Sequence, residues 1–313
     1  MTSQSNAIPE SESRGINTQV IAPAEIPATR RMYWSVRREL WESRSIYIAP
    51  LAVAALFLVG FLISTIHLPD KMRAAVALNP EQQHELIAQP YDFAALLIMA
   101  TTLIVAVFYC LDALHGERRD RSILFWKSLP VSDLTTVLSK ASIPVVVLPL
   151  LTFAITVVTQ LIMLLFSTAV LLGSGLSVTT LWTHVPLFQM SLGLLYHLLA
   201  IHGFWYAPMF GWLLLVSAWA RRAPFLWAAL PLLAIGAVEK IAFNTSHFAA
   251  MLGYRLSGDP GGVGFQATSM SMDSPTHLAV LQFLISPGLW IGLALTAAFL
   301  AAAVRLRRYQ GPI

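Results

Sequence analysis

The chain has 313 residues, of which 57% are hydrophobic and 12% charged, about half the charge of an ordinary soluble domain. A mean hydropathy of +0.67, apolar runs long enough to span a bilayer and a single cysteine, Cys110, exclude a soluble enzyme, a disordered chain and a disulfide-built secreted module. The net charge is +4, and in a polytopic membrane protein its placement along the chain says more than its sum.

Residues 1–29 are rich in Ser, Pro, Ala and Asn, lack the apolar run of a signal peptide and read as a disordered tail. Residues 30–46 differ: Tyr33, Val36, Leu40 and Tyr47 fall near helical spacing, as do Trp34 and Trp41, with Arg37, Arg38, Glu39, Glu42 and Arg44 filling the rest. That pattern predicts an amphipathic helix in the membrane interface, or a plain juxtamembrane anchor.

Six spans follow, at about 46–67, 93–111, 144–172, 191–219, 224–243 and 285–304. Backbone polar groups must be satisfied inside lipid, and the runs do not alternate as barrel strands do, so the expected fold is an all-α polytopic membrane protein. Pro144 and Pro149 stand near the start of the third span, and Pro208 should kink the fourth. The third and fourth exceed what a core of about 30 Å requires, and tilt or project into water.

Sixteen of the 20 basic residues fall on one side of this arrangement: before span one, in the 112–142 loop, at Arg221 and Arg222, and in the 305–313 tail. Lys71, Arg73 and Arg255 fall on the other, so both termini and the 112–142 loop are expected in the cytoplasm. The 244–284 stretch is then an extracellular insertion, with a flexible turn at Gly258–Gly264.

No lysine follows a glycine, so the chain has no phosphate-cradling P-loop, and it contains neither His-Glu-x-x-His nor Gly-x-Ser-x-Gly. His197 and His202 lie five residues apart, about 140° around an α-helix, which suits packing or a cavity lining better than a shared metal. No enzyme chemistry, no metal and no nucleic-acid partner is expected. Glu239 and Lys240 are the charged residues inside a span; they line a water-filled path, or Lys240 snorkels to the interface. Thr152, Thr156, Thr159 and Gln160 on span three, with Tyr196, His197, His202 and Tyr206 on span four, are candidates for the lining of a transport path or for interhelical hydrogen bonds.

The 112–142 loop is the most charged stretch, yet it holds an apolar block. On a helix Ile123, Trp126 and Lys127 share one face, and Leu124 and Phe125 part of another; Pro130 stops it, and Ser132 or Asp133 caps the next. An exposed apolar patch of this kind marks a protein contact, although Phe125 and Trp126 dipping into lipid headgroups is the plainer alternative.

The run Glu117-Arg118-Arg119-Asp120-Arg121-Ser122-Ile123-Leu124-Phe125-Trp126-Lys127-Ser128-Leu129-Pro130-Val131-Ser132-Asp133, followed by Lys140, resembles the loop of type-2 ATP-binding-cassette permeases. In that family an acidic residue opens a segment ending in Leu-Pro-x-Ser, and a lysine begins the next span. Arg121-Ser122 stands where the family often has Gly-Thr. The resemblance implies that this loop is a coupling helix, with residues 117–121, 123–127 and Pro130 meeting an ATPase, and that residues 30–46 are the elbow helix. It also implies two copies of a separate cytoplasmic ATPase that binds ATP and Mg, and a second permease chain in a homodimer or heterodimer. The expected site is a bacterial cytoplasmic membrane, and the expected task export of a drug, lipid, peptide or polysaccharide. An ion-gradient carrier, or a membrane partner of an ATPase in signalling or assembly, are the rival readings.

Overall fold

A computed structural model describes residues 27–75, 77–128, 131–257, 281 and 283–311. Among them the chain is helical, without strands, and six helical stretches are long and apolar enough to cross a membrane. The chain is an all-α polytopic membrane protein. The 1–26 part of the tail, the Gly258–Gly264 turn and Pro130 lie outside the described residues.

Helix α1 (Ala28–Glu42) precedes α2 (Ser45–Ser64), which runs through one 3-10 turn into α3 (Leu68–Ala75). The long α4 (Pro80–Ala113) starts well before the apolar run read as span two, because Asn79 accepts the Gln82 N–H at 2.9 Å and Pro80 occupies the first turn. Asp92 therefore lies within the second crossing helix, so Glu239 and Lys240 are not the only charged residues inside one. Two short helices, α5 (His115–Arg119) and α6 (Ile123–Ser128), make the loop. The third crossing begins with α7 (Asp133–Ser142), where the Ser132 hydroxyl accepts the Thr135 N–H at 3.1 Å, and continues as α8 (Leu148–Gly173). Gly175, at φ +69°, closes α8: the Leu176 N–H reaches the Leu171 carbonyl and the Gly175 N–H the Leu172 carbonyl.

The fourth crossing stretch, expected at 191–219, runs from α9 (Thr179–His184) through α10 (Leu187–His197) to Trp205, and a shorter apolar helix, α11 (Ala207–Trp219), follows it. Then come α12 (Pro224–Phe243), α13 (His247–Ser257) and α14 (Pro287–Tyr309).

Two π-helical segments interrupt the bundle, Ile143–Val147 before α8 and Leu198–Trp205 before α11. Both lie just ahead of a proline. Pro149 has no N–H to give the Val145 carbonyl, and Pro208 none for Phe204, so the ladder widens: Leu148 bonds back five residues to Ile143, and Tyr206 five to Ile201. The kink expected at Pro208 thus takes the form of a wide turn and a bend at Tyr206. The segments touch each other where a Cβ on Gly203 would come 2.9 Å from the Val145 carbonyl oxygen.

The core is interhelical and only partly apolar. Trp205, Tyr91, Ile98 and Met163 are fully enclosed. Between them the Thr152 hydroxyl donates to Thr102 at 2.9 Å, the Gln160 amide to the Tyr91 carbonyl at 3.2 Å, and the Tyr91 hydroxyl to Ser167 at 3.2 Å.

At the loop end α11 carries Ser217, whose hydroxyl oxygen accepts the Leu114 and His115 N–H groups at 3.0 and 2.9 Å. Arg118 donates to the Ala218 carbonyl at 2.6 Å, a cation placed on the C-terminus of α11. Ser217→Ala leaves two buried N–H groups without an acceptor. A loss of about 1–3 kcal/mol is expected, read as a lowered thermal midpoint in detergent; an unchanged midpoint would show that water replaces the hydroxyl.

Candidate functional site

The charges of the loop divide: Asp112, Arg119, Asp120, Arg121 and Lys127 are exposed, while Glu117, Arg118 and Lys140 are buried. Glu39 of α1, Glu117 of α5, Lys140 of α7 and Arg307 of α14 are 1–7% exposed. They meet at one end of the bundle. The Lys140 ammonium donates to Glu39 Oε2 at 2.9 Å and lies 3.1 Å from Glu117 Oε1. Arg307 pairs with Glu117 and, at 3.1 Å, with Asp133. Arg38 closes the set at 2.6 Å from Glu39 and 3.6 Å from Glu117, while the Tyr109 hydroxyl donates to Glu39 at 2.9 Å. Three cations face three carboxylates, so the cluster is neutral in sum. Burial raises the pKa of the Glu39 carboxyl, but the Lys140 and Arg38 charges outweigh burial and hold it below the ordinary carboxylate range.

This cluster joins four elements remote in sequence: the N-terminal helix, the loop, the start of span three and the end of span six. Above it opens a cleft of about 560 Å³ whose walls include Glu42, Asp112, Asp120, Phe108 and Trp126. The Arg38 guanidinium lies 3.9 Å from the Trp126 ring centroid, which fixes α6 against α1. The tail clasps α6 from the other side, because Lys127 donates to the Gln310 carbonyl at 3.2 Å.

The candidate contact residues therefore divide. Glu117, Arg118 and Ile123 are buried within the chain and are braces of the loop. Leu124 and Phe125 are 59% and 60% exposed on α6, and Arg119, Asp120, Arg121 and Lys127 are exposed beside them. The loop is also not one continuous helix: Arg121 adopts φ 58°, a left-handed turn that ends α5 and re-aims α6.

The candidate path residues divide as well. Glu239 caps a helix: its carboxylate accepts the Thr245 hydroxyl at 2.8 Å, the His247 N–H at 2.7 Å and the Phe248 N–H at 2.8 Å, completing the N-terminus of α13. Lys240 is exposed on α12. Thr156 and Gln160 are wholly buried, and one oxygen of each lacks a hydrogen-bond partner, as does Asp92 Oδ1.

His197 and His202 are neighbours after all, with ring centroids 5.5 Å apart, and His202 meets Tyr206 edge-on at 5.5 Å. The sequence argument separating them assumed 3.6 residues per turn; the wider π turn carries residues five apart to one side. Among the described residues, no group of three or more His, Cys, Asp or Glu side chains could hold a metal ion.

At the opposite end α13 folds back onto the bundle. Arg255 lies over the Trp205 ring at 4.1 Å and donates to the Gly288 carbonyl at 2.9 Å, while the Trp205 indole N–H returns a bond to the Arg255 carbonyl at 2.9 Å.

The ion cluster left little trace in the sequence. Glu117 and Arg307 stand 190 residues apart, and no local pattern around Glu39 or Lys140 marks them as their partners. No protein-family model, curated protein or solved structure matches the chain.

Proposed function

We propose that the chain is the membrane-spanning subunit of an ATP-driven transporter of the type-2 ATP-binding-cassette kind, working with a separate cytoplasmic ATPase. The observation that carries this reading is α6: a six-residue helix that offers Leu124 and Phe125 to solvent, while its Trp126 packs on Arg38 of α1 and the preceding α5 is locked to α1, α7 and α14 through Glu117 and the buried ion cluster. An apolar tip on a rigid mount is suited to receive a push. The resemblance of the 117–133 segment to coupling loops says what delivers it.

In this reading α6 is the coupling helix and α1 the elbow helix along the membrane surface. The loop end faces the cytoplasm of a bacterial cell. Two permease chains, alike or different, face two ATPases that hold ATP and Mg. Closure of the ATPases presses on α6, and Glu117 passes the load through Lys140 to span three, through Arg307 to span six and through Arg38 to α1. The spans of the two permease chains rock against each other, opening a way out for a drug, lipid, peptide or polysaccharide. The rival reading is a gradient-driven carrier; of the acidic residues inside crossing helices, Glu239 has its carboxylate engaged as a helix cap, whereas Asp92 keeps an unpartnered oxygen.

The test is co-purification in mild detergent from the native host, with the partner identified by mass and by ATP hydrolysis. An ATPase of cassette size should accompany the chain. Leu124→Ala with Phe125→Ala should reduce its retention about 30-fold, as loss of a central apolar anchor worth about 2 kcal/mol does, and leave the chain folded. Absence of any ATPase, or retention unchanged in the variant, refutes the reading. Trp126 is left in place because it packs on Arg38.

A further inference from the structure

The face of α1 turned away from the bundle has no partner within the described chain. Glu39 is buried and Val36 and Leu40 pack against the core, whereas Tyr33, Trp34 and Trp41 are 59%, 48% and 65% exposed. Arg30, Trp34, Arg37 and Trp41 follow one another at spacings of four, three and four, which puts them on a single stripe of the helix.

Within that stripe the Arg37 guanidinium is clasped between two indoles, 5.1 Å from the Trp34 ring centroid and 4.8 Å from that of Trp41. Such a clasp engages the flat faces of the guanidinium and leaves its N–H groups, five donors in one plane, to point outward. Charge on the helix is one-sided. Arg38, Glu39 and Glu42 are tied into ion pairs, which leaves Arg30, Arg31, Arg37 and Arg44 with no carboxylate partner among the described residues.

The stripe thus offers fixed cationic donors flanked by amphipathic rings, and α2, the first crossing helix, begins at Ser45 just after α1 ends at Glu42. That link holds Trp41 near the level at which the chain enters the bilayer. Indole rings favour that level, and the anion found there in quantity is the lipid phosphodiester. An anionic headgroup satisfies the free donors of Arg37, and its glycerol and upper acyl carbons cover the indole edges.

We infer that α1 binds anionic phospholipid, with Arg37, clasped by Trp34 and Trp41, as the headgroup-phosphate contact. The inference rests on α1 lying along the bilayer surface and is independent of the ATPase. Bound lipid would fix the outer face of α1 while the ion cluster fixes its inner face. Loop motion would then act on the spans rather than drag α1 into the water.

The experiment is a native-mass titration of the purified full chain in detergent with phosphatidylglycerol and phosphatidylcholine of matched acyl chains. Phosphatidylglycerol should be retained preferentially. Arg37→Gln should weaken its binding about fivefold, the effect of one basic residue at an anionic surface; Arg37→Lys should recover part of it, and phosphatidylcholine should not respond. Equal binding of the two lipids, or no response to Arg37→Gln, overturns the inference.

A nitroxide at Tyr33→Cys, specific because Cys110 is buried, separates this failure from a misplaced helix. Accessibility to oxygen with no lipid preference removes the headgroup site alone. Accessibility only to a water-soluble reagent removes the surface placement of α1 with it, leaving this face to a soluble partner.

Discussion

Lys140→Met should be the most damaging single change at the loop end. The ammonium sits 2.9 Å from Glu39 and 3.1 Å from Glu117, and all three residues are almost fully enclosed. A methionine of similar length fills the space but leaves the two carboxylates facing each other with only Arg38 and Arg307 to balance them. Removing one member of a buried charge set costs about 3–5 kcal/mol, more than the set itself contributes, because the remaining charge is stranded out of water. The expected result is a markedly lower thermal midpoint in detergent and rapid protease cleavage in the 112–142 loop, with the far end of the bundle resistant. Adding Glu39→Gln to Lys140→Met should recover part of the loss, since the amide oxygen still accepts the Tyr109 hydroxyl and the excess negative charge is gone. A single variant as stable as the parent would mean that water reaches the carboxylates, and the brace assigned to this cluster would fall.

Gly203→Val should be the most damaging change in the middle of the bundle. Even a Cβ at this position would lie 2.9 Å from the Val145 carbonyl oxygen, and the obstacle is backbone, which cannot rotate aside like a side-chain tip. Valine adds two methyl groups, so the two π-helical segments must separate. Overpacking of this kind costs about 1–3 kcal/mol, and it falls on the contact that pairs span three with span four. A lowered midpoint is expected, with Gly203→Ala intermediate. If the valine variant unfolds at the parent's temperature, the two segments do not touch as described.

Much of the architecture was legible in the residues alone. The apolar runs led to six crossings because lipid offers backbone groups no other partner, and Pro208 marked one place where the ladder would be disturbed. The Ser132–Asp133 cap was legible for a similar reason: local chemistry, with donor and acceptor three residues apart. Helix length was not. Spans two and three run on at the ends where the apolar runs stop, since a capped polar turn such as Asn79–Gln82 can extend a helix beyond the lipid.

The site was legible only in outline. Its exposed part, Leu124 and Phe125, stood out as apolar residues in a charged loop. Its buried part did not, because whether an arginine or glutamate is solvated or enclosed depends on which distant element approaches it. Glu117 reads as a surface charge until Lys140 and Arg307 arrive from two other helices. Glu239 stands inside an apolar run, and only the start of α13 beside it shows that its carboxylate caps a helix. His197 and His202 read as separated until the helix between them widened. Composition and spacing, which act along the chain, determined the membrane class, the number of crossings and the exposed apolar tip. Charge partners, cap recipients and the pitch of a turn under packing act across the chain, and only the tertiary structure decided those.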